Sequence, residues 1–93
     1  MKLEYTANAV GDLARLREFI AMHDPDAAER MAERLRSGIN SLQDHPKLGH
    51  PVVYAPEPEQ IRDLVIGDYL VRYLLLERRI LVLRVWHQRE NWK

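Results

Sequence analysis

The side chains best suited to chemistry lie near the C-terminus, where His87 follows Arg84 and precedes Arg89. Histidine transfers protons near neutral pH, and guanidinium groups stabilise a negatively charged phosphorane. RNA cleavage by its own 2′-hydroxyl needs a base, an acid and such cations, which His87 with Arg62, Arg84 and Arg89 would supply. The simpler interpretation is that His87 only closes a strand. We favour it, so no catalytic residue is assigned.

Two other arginines stand out because Arg72 and Arg84 each interrupt an apolar run, at residues 69–76 and 80–86. A buried, unpaired charge is costly. Their face must therefore be open, or the charges paired with Asp63 or Glu90. Contact with a partner or a phosphate and a salt-bridged sheet surface both remain open. We expect Trp86 in the core and Trp92 at a contact with a partner or target, since tryptophan is common at interface hot spots.

The elements that must position these residues are three consecutive strands. The first, up to Ile66, runs into Gly67-Asp68, a two-residue turn signal. The next two runs, separated by only residues 77–79, predict an antiparallel hairpin. Matching Leu76 with Ile80 sets Arg72 opposite Arg84. In that register one face carries the arginines with Leu70, Leu74, Ile80, Val82 and Trp86, and the other carries Tyr69, Val71, Tyr73, Leu75, Leu81, Leu83 and Val85.

The first half of the chain predicts a strand at residues 3–5 and two helices. The first helix covers about residues 7–23, capped by Thr6 or Asn8. The second begins after Asp24, with Pro25 in its first position, and ends near Asp44. The apolar stripes at helical spacing are Val10, Leu13, Ala14, Leu16 and Ile20, then Ala28, Met31 or Ala32, Leu35, Ile39 and Leu42.

This order predicts one α+β domain over residues 1–93: an N-terminal strand, an antiparallel helical hairpin and a three-stranded antiparallel sheet (β-α-α-β-β-β). Residues 45–58 form a proline-rich loop, with a short strand or turn around Val52-Val53-Tyr54.

Composition narrows the function. Lys plus Arg equals Asp plus Glu, at 14 each, whereas proteins that hold nucleic acid by its phosphates usually carry a basic excess. The absence of cysteine excludes disulfides and cysteine-type zinc sites, and the four histidines lack metal-ligand spacing. We expect no metal and no cofactor. No signal peptide or membrane-spanning run is present, so we expect a cytoplasmic protein without a membrane partner.

Taken in order, the residues resemble the RelE/ParE superfamily of toxins from bacterial toxin–antitoxin modules. The resemblance covers essentially the whole chain, and it rests on the ordered set rather than on any one piece. The pieces are Ala9, Asp12-Leu13, Leu42, Pro46, Gly49, Arg62-Asp63-Leu64, Tyr69 to Tyr73, Ile80 to His87, Arg89 and Trp92.

This resemblance implies a toxin that a cognate antitoxin wraps and neutralises. RelE-like members cut mRNA on the ribosome, whereas ParE-like members poison DNA gyrase. The neutral charge, the acidic segment at residues 55–60 and the ParE-like ending at residues 86–92 favour gyrase. A ribosome-dependent mRNA endonuclease is the alternative. An inactive relative that serves only as a binding or autoregulatory subunit is the second.

The resemblance also assigns residues to surfaces. We expect no direct sequence-specific DNA binding by the chain alone. Were the chain a nuclease, its catalytic residues would be Arg62, Arg84, His87 and Arg89. The predicted target-binding residues are Arg84, Trp86, His87, Arg89 and Trp92, and the predicted antitoxin-binding residues are Leu13, Leu16, Ile20, Leu35 and Arg72.

Overall fold

The chain folds as a helical hairpin against a sheet, as the α+β prediction requires. The structure is a computed structural model that describes residues 1–57 and 59–88. Its elements are β1 (Lys2–Tyr5), α1 (Ala7–Ala21), α2 (Pro25–Asn40), a 3₁₀ turn (Ser41–Gln43), β2 (His50–Pro51), β3 (Ile61–Ile66), β4 (Tyr69–Leu75) and β5 (Arg79–His87). In this part of the chain, no helix is long and apolar enough to cross a membrane.

The predicted three-stranded sheet forms the centre of a five-stranded one, in the order β1-β5-β4-β3-β2. Strands β3, β4 and β5 pair antiparallel, and β1 adds to the outer edge of β5 in parallel. The sheet is therefore mixed. The short strand expected around residues 52–54 lies earlier, at His50–Pro51, because these two residues pair with Asp63 and Arg62.

The β4–β5 register confirms one predicted pair and corrects another. Arg72 does lie opposite Arg84, but Ile80 lies opposite Leu75 rather than Leu76. The register shifts between Arg72 and Tyr73, which leaves Leu83 as an extra residue on β5. This bulge changes which face the strand presents on either side of it.

The bulge overturns part of the predicted face assignment. Ile80 and Val82 are fully buried and belong to the core, although the sequence placed them with the arginines. Val85, beyond the bulge, is also in that core, as expected. Because of this one inserted residue, β5 buries side chains toward the helices both before the bulge, at Ile80 and Val82, and after it, at Val85.

The helix starts follow the predicted caps. Thr6 Oγ1 accepts a hydrogen bond from the Ala9 N–H at 3.0 Å and donates to the carbonyl of the bulge residue Leu83 at 2.9 Å. Asp24 Oδ1 accepts from the Ala27 N–H at 3.1 Å, with Pro25 in the first turn. Each helix ends sooner than predicted, and a 3₁₀ turn replaces the last turn expected of α2.

The two helices differ in how well their stripes predict burial. The α2 stripe is confirmed, since its buried residues are Ala28, Met31, Leu35 and Ile39, with Leu42 following in the 3₁₀ turn. On α1 the buried residues are Ala9, Asp12 and Leu16, while Val10 is 56% exposed. Helix α1 is therefore rotated toward Asp12, whose side chain bonds to β5.

Candidate functional site

Arg72 and Arg84 are adjacent on the sheet face opposite the helices, and each is held by a carboxylate. Arg72 donates from two nitrogens to the two carboxylate oxygens of Asp63, at 2.8 and 2.9 Å. Arg84 donates in the same way to Asp12, at 2.7 and 3.0 Å. The expected Asp63 partner is thus confirmed for Arg72. Asp12 was not anticipated, and Glu90, the other carboxylate considered, lies outside the described residues.

Trp86 contacts both of these arginines. The guanidinium carbons of Arg72 and Arg84 lie 5.2 and 5.5 Å from its ring centroid. Trp86 is only 6% exposed, so the predicted burial is confirmed, although the tryptophan lies on the face opposite the helices. Like charges directly across a strand pair are unfavourable, but here a carboxylate neutralises each cation and the indole ring attracts both. We call Asp12, Asp63, Arg72, Arg84 and Trp86 the arginine–tryptophan cluster.

Asp12 fastens helix α1 to the sheet. Besides the Arg84 pair, its Oδ2 accepts the backbone N–H of Val85 at 2.9 Å, and its side chain is only 7% exposed. Burial acts to raise the pKa of Asp12, but the hydrogen bonds from Arg84 and Val85, with the charges of Arg84 and Arg15, hold that pKa below its usual value. The signal in the sequence was a carboxylate at helical spacing with Ala9 and Leu16.

The Arg62 side chain binds the loop that precedes β3. It is buried, and it donates to the carbonyl of Gly49 at 2.8 Å and to the carboxylate of Glu59 at 2.9 Å. Beside it, the Tyr73 hydroxyl accepts the Gly49 N–H at 3.0 Å and donates to the Pro46 carbonyl at 2.7 Å. Arg62 therefore satisfies backbone acceptors rather than facing a ligand.

Gly49 lies very close to neighbouring atoms, and the Tyr73 side chain beside it is fully buried. A Cβ there would lie 2.8 Å from Tyr73 Cε1 and 2.9 Å from the Asp63 carbonyl, so the loop needs a glycine. Burial raises the pKa of Tyr73 despite the opposing Gly49 hydrogen bond and Arg62 charge. The Tyr73 hydroxyl consequently stays protonated at physiological pH, as its bond to Pro46 requires.

The structure does not gather the described members of the nuclease set. His87 pairs with Tyr69, and the two rings meet edge to face at 5.3 Å, on the side where Tyr69 packs against the core. Arg84 belongs to the opposite face. Arg62 pairs with Tyr73, four residues along β4 from Tyr69, or about 13 Å away. Arg89 and Trp92 lie outside the described residues. Within residues 1–57 and 59–88, no cluster of three metal-binding side chains occurs.

An apolar groove of about 630 Å³ runs between α1 and α2. Leu13 and Leu35, two of the predicted antitoxin contacts, line it together with Ala14, Ala21 and Ala32. Of the other predicted contacts, Leu16 is buried in the core, Ile20 packs against the core, and Arg72 lies on the opposite face of the sheet. Three charged residues, Arg17, Glu18 and Arg36, also line the groove. The two arginines are neutralised, since Arg17 pairs with Glu29 and Arg36 with Glu33.

Comparison with known proteins agrees on one family. Residues 3–92 match the family described as the ParE toxin of type II toxin–antitoxin system, parDE. The chain is 31% identical over 84 residues to Toxin RelE2 of Caulobacter vibrioides, covering 89% of this chain and 90% of that protein. It is 32% identical over 88 residues to Toxin RelE1 of the same organism, covering 92% and 91%. Over 93 residues it is 28% identical to the putative toxin Y4kP of Sinorhizobium fredii, covering 98% and 92%.

Solved structures show the same fold. A chain of the chromosomal ParDE toxin–antitoxin system from P. aeruginosa superposes with a TM-score of 0.79 at 20% identity, covering 94% of this chain and 95% of that one. The conserved hypothetical protein HP0894 from Helicobacter pylori superposes with a TM-score of 0.57 at 20% identity, covering 91% of each chain.

Proposed function

Because the chain belongs to the ParE toxin family of type II toxin–antitoxin systems, we propose that it inhibits growth by poisoning DNA gyrase. A cognate antitoxin neutralises it by covering the groove between α1 and α2. Members of this family pair with an antitoxin. The target does not follow from the fold, because one fold can host several activities, and it depends on the site.

Gyrase is favoured over RNA because the arginines of the sheet already have partners within the chain. Arg62, Arg72 and Arg84 all donate to carboxylates of the chain itself. A nuclease of this fold needs cations aimed at a phosphate, with a proton-transferring group within hydrogen-bond reach of the reacting atoms. Here His87 lies on the helix side of the sheet and Arg84 on the other. The zero net charge supports the same choice.

The surface proposed for the target is the end of β5 and the segment that follows it, residues 84–92. Arg84 and Trp86 are positioning residues in this proposal, since both are engaged in the arginine–tryptophan cluster. His87, Arg89 and Trp92 would lie on this surface. The arginine and the tryptophan would make its main contacts, so loss of the His87 side chain alone would weaken target binding little.

The groove suits an antitoxin segment because most of its lining is apolar and its two arginines are already paired. An amphipathic helix places its apolar face into such a groove through side chains at helical spacing. Leu13, Ala14 and Leu35 supply the floor and walls. Leu16 and Ile20 support the groove from the core beneath it, and Arg72 lies on the opposite face of the sheet.

A ribosome-dependent mRNA endonuclease is the second candidate. The observation in its favour is that two similar proteins of Caulobacter vibrioides are named RelE toxins. In that case His87 would be the proton-transferring residue. It would have to act with cations other than the paired arginines of the sheet.

The deciding experiment expresses the chain in bacteria without antitoxin and follows an SOS reporter and mRNA integrity in parallel. We expect filamentation and SOS induction with intact mRNA, and we expect His87→Ala to inhibit growth nearly as well as the wild type. Purified protein should also trap gyrase on DNA as a cleavage complex. Rapid translation arrest with mRNA cut at codon boundaries, relieved by His87→Ala, would instead establish the endonuclease. Normal growth with neither response would indicate an inactive relative.

A further inference from the structure

A second cavity, of about 330 Å³, lies on the other side of α2, between that helix and the β3–β4 turn. Its lining is apolar except for two guanidinium groups and one phenol. The residues are Ala27, Arg30, Met31, Arg34, Leu35, Ile66 and Tyr69. This cavity has no local signature in the sequence, since Arg30 and Arg34 belong to the charged face of an amphipathic helix.

Arg30 and Arg34 differ from the sheet arginines in having no partner among the residues that the structure describes. Neither side chain makes a hydrogen bond or ion pair with any residue in 1–57 or 59–88. They are four residues apart on one helix, an arrangement of like charges that weakens a helix slightly. The Arg34 guanidinium lies against the turn, since a Cβ on Gly67 would be 3.0 Å from its Nη2. The fold therefore positions these cations without neutralising them.

The chemistry of the cavity selects its occupant. Guanidinium groups bind carboxylates through paired hydrogen bonds, and an apolar lining takes an aliphatic or aromatic side chain. A phosphate backbone would use the two cations and leave the apolar lining unfilled. An acidic peptide segment that also carries an apolar side chain satisfies both parts, through charge complementarity and burial of apolar surface.

The position of the cavity shows which protein would supply such a segment. Met31 and Leu35 line both this cavity and the groove between α1 and α2, so one helix separates the two sites. We propose that the antitoxin seated in the groove continues across α2, inserts an apolar side chain into the second cavity, and sets acidic side chains on Arg30 and Arg34. This inference rests on the proposed antitoxin groove and extends it.

The test measures binding of the full-length chain to the small protein encoded beside its gene, purified on its own. We expect Arg30→Ala with Arg34→Ala to weaken binding about fivefold in low salt, with the difference shrinking as salt rises. The matched control is Arg78→Ala, which removes an exposed arginine from the β4–β5 connection. Ala14→Glu tests the groove itself, and Val10→Glu, on the same helix but outside the groove, is its control.

These variants separate the two proposals. Unchanged binding by the double arginine variant, with binding lost in Ala14→Glu, would overturn the inference and retain the groove. Lost growth inhibition with unchanged antitoxin binding would also overturn it, and would assign the arginines to the target. Weaker binding of an oligo-dT probe with unchanged antitoxin binding would overturn it in favour of a phosphate ligand.

A second measurement depends on neither the antitoxin nor toxicity. A synthetic peptide of leucines flanked by glutamates, compared with its glutamine counterpart, is titrated while the arginine Nε–H resonances are followed by NMR. Shifts of the Arg30 and Arg34 signals with the glutamate peptide alone support the inference. Equal shifts with both peptides, or none, would overturn it.

Discussion

The arginines of the sheet and those of α2 are chemically identical, yet the fold uses them in opposite ways. Arg62, Arg72 and Arg84 project from strands and meet carboxylates or carbonyls of the chain. Arg30 and Arg34 project from a helix and meet none in the described residues. In the sequence, Arg62 and Arg84 belong to the candidate nuclease set, and Arg72 and Arg84 interrupt apolar runs. The helix arginines look like ordinary solvated charges.

In this protein, the charges inside the apolar strands are held by the chain's own carboxylates. Such a charge must be neutralised for the strand to pack, so the fold supplies its counterion. A charge on an exposed helix face is under no such requirement. A helix-face charge that has no counterion and borders an apolar cavity is therefore a candidate for contact with a partner. Measurements of the free energy of unfolding test this contrast.

The largest effect is expected at Arg62. Arg62→Ala should lower the free energy of unfolding by about 3 kcal/mol, because it leaves the buried carbonyl of Gly49 without its donor and opens a void. Arg36→Ala is the matched control, since that arginine is 62% exposed and should change the value by less than about 0.5 kcal/mol. Denaturant unfolding measures both. Equal effects from the two variants would contradict the structural role of Arg62.

A smaller, pH-dependent effect is expected at Asp12. Asp12→Asn should cost about 2 kcal/mol at neutral pH, because the charge-assisted bonds to Arg84 and the Val85 N–H weaken. The pKa of Asp12 is depressed in the folded chain, so its contribution is complete above the unfolded value of about 3.9. That contribution is lost as pH falls through the folded pKa.

The pH dependence provides the check on this second prediction. Unfolding of the wild type and of Asp12→Asn should be compared from neutral to acidic pH. The gap between their free energies of unfolding should close on acidification, while other carboxylates affect both proteins alike. A gap that stays constant at low pH would show that the Asp12 charge contributes nothing.

The smallest effect is expected on α2. Replacing both Arg30 and Arg34 by alanine should change the free energy of unfolding by no more than about 0.5 kcal/mol, with a slight gain from relieving like-charge repulsion. Urea unfolding of the same samples used for binding is the measurement. A loss well above about 1 kcal/mol would show that these arginines stabilise the fold, and it would remove the contrast with the sheet.

Local signals predicted much of the fold. The Asp24-Pro25 start of α2, the Gly67-Asp68 turn and the Thr6 cap are short-range features, and each depends on residues a few positions apart. Gly67 has a φ of 59°, the left-handed backbone that its turn requires. The α2 stripe was equally clear, because that helix buries one uninterrupted apolar face.

The errors have long-range causes. The bulge at Leu83 lies where β1 ends. Thr6, the next residue after β1, donates its backbone N–H to the Val82 carbonyl and its hydroxyl to the Leu83 carbonyl. Asp12 and Arg84 are 72 positions apart, and no local pattern pairs them. The predicted nuclease residues do not come together, and this too depends on strand pairing rather than on local sequence. Strand alternation sets Arg84 on the other face from His87, and the β3–β4 register sets Arg62 about 13 Å along the sheet from it.

The helices and strands, their order, the α+β class and the family were predictable without coordinates, because helix caps, turn residues and apolar periodicity act over a few residues. The tertiary structure alone decided which charges are satisfied. Counterions such as Asp12 and Asp63 come from distant or cross-strand positions, and a bulge of one residue reverses the face a strand buries. For that reason the tertiary structure, not the motif, distinguishes the structural arginines of the sheet from those of α2, which have no partner in the described part of the chain.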